Sequence, residues 1–359
     1  MASESAPRSA LYQTIQTQPS VVRSVLEGAQ AEAEHAADLL AQSARVFLVG
    51  TGTSSHAAVV GEHLLRLAGA EAYATTAFDF VTYPRPLRPD DALVAISHRA
   101  TKRYGARAIA MARDAGLHVI GITGRGSPME GPDVVIGTAP PETSSAHTAS
   151  YTGNLAALAL IAARLGEHTG ADVSALVAAL DQLPEALVAL LAREADIEPI
   201  AQALAARGRM VLIGAGPNAV TAREGALKVK ESSYLVAEGF ELETALHGGL
   251  QPVAAGDVGV VLAAHGPALE RTSDAIHALR LIGARLLVIA DERAASSVPT
   301  DEATTIVSFA GVPEALSPIL ATVPLQLLAA RTAELRGTNP DSFRADDPIY
   351  KQANASYTL

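Results

Sequence analysis

The sequence has 359 residues, which at roughly 150 per domain is enough for about two domains and a large buried core. Hydrophobic residues make up 49%, charged residues 18% and aromatics 4% with no Trp, a balance that excludes disorder and fits an Ala/Val/Leu-rich α/β protein. A net charge of −11 opposes non-specific attraction to nucleic acid or anionic lipid, and the absence of Cys excludes disulfides, thiolate metal sites and cysteine nucleophiles.

In chain order, the start from Met1 to Pro7 has no basic segment leading into an apolar one, and nowhere do about 18 apolar residues run uninterrupted, so a cytoplasmic protein is expected. Pro19 follows Gln18 at a helix-start position, and Val21, Val22, Val25 and Leu26 repeat at helical spacing, so 1–44 reads as an N-terminal helical segment. Arg45–Gly50 is a short apolar run that ends in a Gly/Thr/Ser loop and a helix through Leu64, Leu65 and Leu67. Similar runs recur at Ala92–Ile96, His118–Ile122 and Val134–Ile136, with a helical stretch at Ala106–Ala115. This alternation predicts a parallel sheet covered by helices over 45–165.

The scheme then repeats. Asp172–Arg193 reads as two linker helices, and Met210–Gly214 opens a second glycine loop and helix, with later strands at Val258–Leu262, Leu286–Ile289 and Thr305–Phe309 and a helix over Leu316–Leu335. Gly50 and Gly214 lie 164 residues apart, so an internal duplication of one flavodoxin-like α/β unit is expected, the second unit with its linker helices occupying 166–337. The tail, 338–359, has no clear period and must dock on the rest or be disordered.

Four segments and one histidine offer chemistry. Gly50-Thr51-Gly52-Thr53-Ser54-Ser55-His56 ends a strand and opens a helix, so backbone N–H groups and hydroxyls can converge on one anion. Gly214-Ala215-Gly216-Pro217-Asn218-Ala219 matches a relaxed dinucleotide pattern, with Glu238 at the spacing of a ribose-binding acid; a tight turn with Pro217 at the first helical position explains it without a ligand. Ser97-His98-Arg99-Ala100-Thr101-Lys102-Arg103 follows a strand and brings hydroxyls and potential cations to the sheet's carboxyl edge, where α/β sheets bind ligands. Farther on, Glu224, Lys228 and Glu231 share one helical face, and His247 lies beside Gly248 and Gly249. A surface salt-bridge ladder would have the same spacing, but a carboxylate, a lysine and a histidine are also tools for moving protons on a carbonyl compound.

Glu224-Gly-Ala-Leu-Lys-Val-Lys-Glu-Ser-Ser-Tyr234, Ala237-Glu238, Leu246-His247-Gly248, Gly52-Thr53-Ser54-Ser55-His56-Ala57 and Gln18-Pro19 together resemble the sugar isomerase (SIS) domains. The chain from about Thr14 to the tail resembles the double-SIS isomerase module of glucosamine-6-phosphate synthase and its free-standing isomerase and deaminase relatives. The resemblance implies two αβα subdomains and a tail that closes the site. It also implies that Glu231 moves a proton between C1 and C2 of an open-chain sugar, that Lys228 assists, and that His247 opens the ring from the neighbouring subunit of a homodimer with a shared site. Thr53, Ser54 and Ser97 match substrate-side hydroxyls, and Lys351 is the candidate for a lysine of the family's tail. Where the family has Ser-Gln-Ser-Gly-Glu-Thr this chain has Ser97-His98-Arg99-Ala100-Thr101-Lys102, and His147 stands at a further serine position. Cations and imidazoles in place of neutral hydroxyls point to a terminal anion held differently, a phosphate or a sulfonate on C6.

The synthase's glutaminase domain with its cysteine nucleophile has no counterpart here, so aldose–ketose isomerisation is expected, with ammonia release as the deaminase alternative. A sugar-phosphate-sensing module without catalysis is the alternative of another class. No cofactor or metal is expected, because the family's chemistry is metal-free and the histidines lack ligand spacing in the sequence. Neither nucleic acid nor membrane is an expected partner: no helix-turn-helix fits before Gln18 and no basic face holds phosphates.

Overall fold

The computed structural model describes residues 8–357, so the Met1–Pro7 segment lies outside the described residues. Two five-stranded parallel sheets form the frame. The first contains β1 (Arg45–Gly50), β2 (Ala72–Thr76), β3 (Asp91–Ser97), β4 (His118–Thr123) and β5 (Val134–Gly137), in the order β2-β1-β3-β4-β5. The second contains β6 (Arg209–Gly214), β7 (Val236–Glu241), β8 (Val258–Ala263), β9 (Arg285–Asp291) and β10 (Thr304–Phe309), in the order β7-β6-β8-β9-β10. Both orders are the flavodoxin-like 2-1-3-4-5, so the expected duplication is present in the topology. The inner strands are apolar runs buried on both faces, as parallel sheets require.

The sequence reading omits β2 and β7, and both are edge strands. Each pairs on one side only, and Ala72-Tyr-Ala-Thr-Thr76 and Val236-Ala-Glu-Gly-Phe-Glu241 mix polar with apolar residues because half of their surface faces outward.

Helices α1 (Ala10–Gln16), α2 (Gln18–Gly28) and α3 (Gln30–Ala41) precede β1; α4 (Thr53–Leu67), α5 (Ala77–Thr82), α6 (Arg103–Asp114) and α7 (Ala149–Thr169) belong to the first unit. Two short helices, α8 (Ser174–Leu180) and α9 (Leu183–Leu191), form the expected linker, with Pro184 in the first turn of α9, and α10 (Glu198–Arg207) leads into β6. The second unit adds α11 (Pro217–Ser233), α12 (Leu242–Thr244), α13 (Leu269–Ile282), α14 (Glu292–Ala295) and α15 (Ser317–Arg336), and α16 (Pro348–Ala355) closes the chain. The main apolar cluster joins the two units. α7 and α15 are buried on nearly every face, as an Ala/Leu-rich helix hydrophobic all round must be. Among the described residues no single helix is long and apolar enough to cross a membrane; α8 and α9 together pass on length and composition but bend by 55° at their break.

The two glycine loops are built alike. Gly52 and Gly216 cap α4 and α11 with nearly the same backbone, φ 59, ψ −128 and φ 51, ψ −128, in the left-handed half of the map that favours glycine. A Cβ on Gly50 would lie 2.3 Å from the Ser54 carbonyl carbon, and one on Gly214 would lie 2.1 Å from the Asn218 carbonyl oxygen, so each helix is set hard against the end of its strand. A Cβ on Gly216 would lie 3.7 Å from a carboxylate oxygen of Glu314, so an acid stands beside the second loop where the first has none within that reach.

The tail docks. The Asp341 carboxylate accepts from Ala10 N and Leu11 N at 2.9 and 2.8 Å, and its carbonyl accepts from Ser145 N at 3.0 Å. The Arg344 guanidinium lies over the Tyr234 and Tyr350 rings at 5.0 and 3.8 Å.

Candidate active site

A cavity of about 460 Å³ opens at the carboxyl ends of β1 and β3, the point where the strand order reverses and where open α/β sheets bind ligands. Gly50–Ser54 and the first turn of α4 form one wall; Ser97, His98, Arg99 and Lys102 form the next; His147, Ser150 and Asn154 close a third. The fourth wall comes from the second unit. α11 packs against α4 and presents Lys228 and Glu231 to the same space, and Phe343 of the tail covers part of the mouth. Nine of the eleven residues singled out in the sequence therefore line one cavity.

The helical face 224–228–231 is not a surface ladder. Glu224 is fully buried, and the side chains of Lys228 and Glu231 are 2% and 18% exposed. The Lys228 ammonium lies 2.5 Å from Glu231 Oε2 and 3.3 Å from Glu224 Oε1, and it donates to Thr53 Oγ1 at 3.1 Å. Thr53 Oγ1 in turn donates to Glu224 Oε1 at 3.1 Å, and His56 Nδ1 is 2.6 Å from Glu224 Oε2. Burial works against the Lys228 charge, but the two carboxylates outweigh it and push its pKa up. Burial raises the Glu231 carboxyl above its ordinary value; Lys228 opposes this and the Glu224 charge adds to it. Burial also acts against ionised Glu224, yet Lys228 and His56 together hold its carboxyl below the usual range. The result is an ionised pair behind a carboxyl whose affinity for a proton is enhanced at the cavity wall.

On the opposite wall the structure alters the charge count expected from the sequence. His98 and His147 meet edge to face, ring centroids 4.7 Å apart, His98 buried and His147 half-buried. Burial pulls the His98 pKa down and carries His147 to about 4, where the nearby Glu142 carboxylate does not compensate, so neither imidazole is a cation at neutral pH. The cations available to an anion are Arg99 and Lys102, the latter with its pKa lowered by burial and by Arg99. Between them Ala100 adopts φ 55 in the loop that aims both side chains, a strained backbone of the kind found where a ligand loop is held to one shape.

Two expected residues are elsewhere. His247 sits on the surface of the second unit with its side chain 76% exposed, 3.2 Å from Glu243, in a turn where Gly248 takes φ 126. It does not line its own chain's cavity, so any part it plays there belongs to a neighbouring copy. Lys351 is exposed on α16, whose orientation the Arg344 stack on Tyr234 and Tyr350 fixes, and the tail reaches the cavity through Phe343 instead. Thr53 is in the wall, but its hydroxyl is engaged by Glu224 and Lys228 and acts as part of the ion network.

Of the residues missed at the sequence level, Ser145 lies in the loop before α7 and Ser150 and Asn154 in the first turns of that helix. Ser145, Ser150 and Asn154 reach the cavity because Glu142 folds its loop back, accepting from Thr148 N and Ser150 N at 2.9 and 2.8 Å; the hydroxyl run Thr143-Ser144-Ser145 was the available signal. Among the described residues one histidine meets two acids at once: Glu34, Asp38 and His168 approach within ligand distance on α3 and α7, but the group is largely exposed, shares Glu34 with Arg164 and lies apart from the cavity.

Comparison with known proteins gives the same frame. The SIS domain family model matches residues 39–164 and 203–335. The glutamine–fructose-6-phosphate aminotransferase (isomerizing) of Pseudomonas putida is 34% identical over 360 aligned positions, which cover 96% of this chain and 59% of that protein. The chain thus spans less than two thirds of the length of the curated relatives it matches. Among solved structures, the C-terminal domain of glucosamine-fructose-6-phosphate aminotransferase from Francisella tularensis superposes with TM-score 0.86 at 20% identity, covering 95% of this chain and 100% of that one. Tagatose-6-phosphate ketose/aldose isomerase from Escherichia coli gives 0.75 at 19%, covering 93% and 95%, and glucosamine-6-phosphate deaminase from Thermotoga maritima gives 0.75 at 20%, covering 93% and 97%.

Proposed function

The chain belongs to the SIS domain family, and from that premise we propose that it is an aldose–ketose isomerase acting in the cytoplasm, without a metal, on a hexose with a terminal phosphate or sulfonate. The observation that carries this reading is the Lys228–Glu231 pair facing, across one cavity, a wall that offers Arg99, Lys102, Ser54 and Ser97. A sugar anchored by its anion at that wall extends toward Glu231. The carboxylate then takes the proton from the carbon next to the carbonyl and returns it to the former carbonyl carbon, a hydroxyl proton passes from one enediol oxygen to the other, and the positive charge of Lys228, held in place by Thr53, stabilises the enediolate between the two transfers. The neutral imidazoles of His98 and His147 each have one N–H to donate to the anion without adding charge. The tail, with Phe343 at the mouth, excludes water from the intermediate.

The test is an NMR assay in heavy water with hexose 6-phosphates, amino-sugar 6-phosphates and 6-sulfonated hexoses. Deuterium entering C1 or C2 of one class is the expected result and identifies the anion. Ammonia release would replace the simple isomerase by a deaminase, and binding without exchange would leave a sensing module.

Ring opening by His247 requires a second copy of the chain. In a two-fold dimer each cavity would combine Glu231 of one protomer with His247 of its partner. Mixing inactive Glu231→Gln and His247→Ala proteins should then restore about a quarter of the wild-type activity, because half of the dimers are mixed and each has one intact site. No recovery, in a mixture whose subunits are shown to exchange, would place His247 outside the shared site.

A further inference from the structure

We propose that Glu224 and His56 are positioning residues that set the base strength of Glu231, Glu224 by sharing the Lys228 ammonium and His56 by drawing charge from Glu224. The proposal rests on the reading of Glu231 as the base. Its ground is the order of contacts from one unit to the other: His56 Nδ1 to Glu224 Oε2 at 2.6 Å, Glu224 Oε1 to Lys228 Nζ at 3.3 Å, Lys228 Nζ to Glu231 Oε2 at 2.5 Å. Neither Glu224 nor His56 touches the cavity.

Without Glu224, a lysine at 2.5 Å would neutralise Glu231 alone and leave a weak base. The Glu224 carboxylate is fully buried, so its charge is poorly screened and competes effectively for the same ammonium. His56 enters from α4 with its side chain 20% exposed and reduces that competition by donating to, or as imidazolium neutralising, the far oxygen of Glu224. The two residues therefore act on Glu231 in opposite senses, and the directions of the shifts at Glu231 agree: Glu224 raises its pKa and His56 lowers it.

The other groups facing this network do not confuse the sign. Thr53 bridges Glu224 and Lys228 as a neutral hydroxyl. Tyr151 on α7 is fully buried with no hydrogen-bond partner for its hydroxyl, and burial and the Glu224 charge hold it un-ionised. Arg99, Lys102, His98 and His147 face Glu231 from across the cavity and are the same in every variant considered. Differences between variants therefore cancel their contribution.

The experiment is a carbon-13 NMR titration of the Glu231 carboxyl in the full-length protein, its resonance assigned by its loss in Glu231→Gln. Glu224→Gln should move the midpoint to lower pH and His56→Ala to higher pH, each by about half a unit or more. His56→Asn, whose amide can still donate to Glu224, should return the midpoint toward wild type. In the active enzyme the acid limb of kcat/KM should move with the midpoint. Shifts in the same direction, or none, would overturn the proposal. Should Glu224→Gln fail to fold, the partly exposed His56 position still decides, since an unmoved midpoint in His56→Ala contradicts it. Absence of turnover in the wild type would remove the isomerase reading alone, because the titration reads Glu231 directly.

Discussion

Glu231→Gln should lower kcat by about 10²–10⁴-fold, the range for loss of a positioned general base, while KM stays within a few-fold of wild type. The amide has the shape of the carboxyl and its oxygen can still accept from Lys228, which lies 2.5 Å from Glu231 Oε2, so the cavity wall and the buried pair behind it remain in place. The proton acceptor is lost. Because only the transition state uses the base, the deficit appears in kcat and not in binding. The raised pKa of Glu231 adds a pH signature: the acid limb of the wild-type profile should lie above the ordinary carboxylate range, and it should be absent from the residual rate of the variant. Deuterium exchange at the carbon next to the carbonyl must fall in parallel. Full exchange in Glu231→Gln would assign the proton transfer to another group on the wall.

The parts of this arrangement that could be read from the sequence are those with a local cause. Arg45–Gly50, Ala92–Ile96 and Val258–Leu262 announce themselves as strands because parallel sheets bury both faces, whereas β2 and β7 do not, since these two edge strands mix polar with apolar residues, unlike β5, which keeps an apolar run at its own edge. The family motifs pointed to Ser54, Ser97, Lys228 and Glu231, and the departure from them pointed to Arg99; all five line one cavity. Charge states were not legible: His98 and His147 count as potential cations in a sequence, and only their mutual packing and burial make them neutral. Nor was the contact between His56 and Glu224, which are 168 residues apart and meet because the first helix of one unit packs on the first helix of the other. Phe343 was hidden for a similar reason, since the aperiodic tail takes its position from an Asp341 cap on α1 and an Arg344 stack, both long-range.

Lys228→Met should cost about 3–5 kcal/mol of stability at neutral pH, the range for removing one partner from a buried ion pair, in addition to abolishing turnover. Met fills the stem of the lysine without strain, so the loss is electrostatic: Glu224, fully buried, keeps only His56 and Thr53 as partners, and Glu231 keeps none. The pH dependence separates this cause from simple misfolding. In the wild type the depressed pKa of Glu224 contributes stability above its unfolded-state value and loses it as pH falls through the folded value, while the raised pKa of Lys228 contributes stability that is fully present below the unfolded-state lysine value and is lost only as pH rises through the folded one. In Lys228→Met both carboxyls move upward, so the variant gains more stability on acidification than the wild type, in which the raised pKa of Glu231 gives a smaller gain that the depressed pKa of Glu224 opposes. Urea denaturation at pH 7 and at pH 4.5 should therefore show a deficit that shrinks on acidification. A deficit equal at the two pH values would mean that Lys228 stabilises the interface of the two units by packing, and that the ion network beneath the cavity contributes little to holding them together.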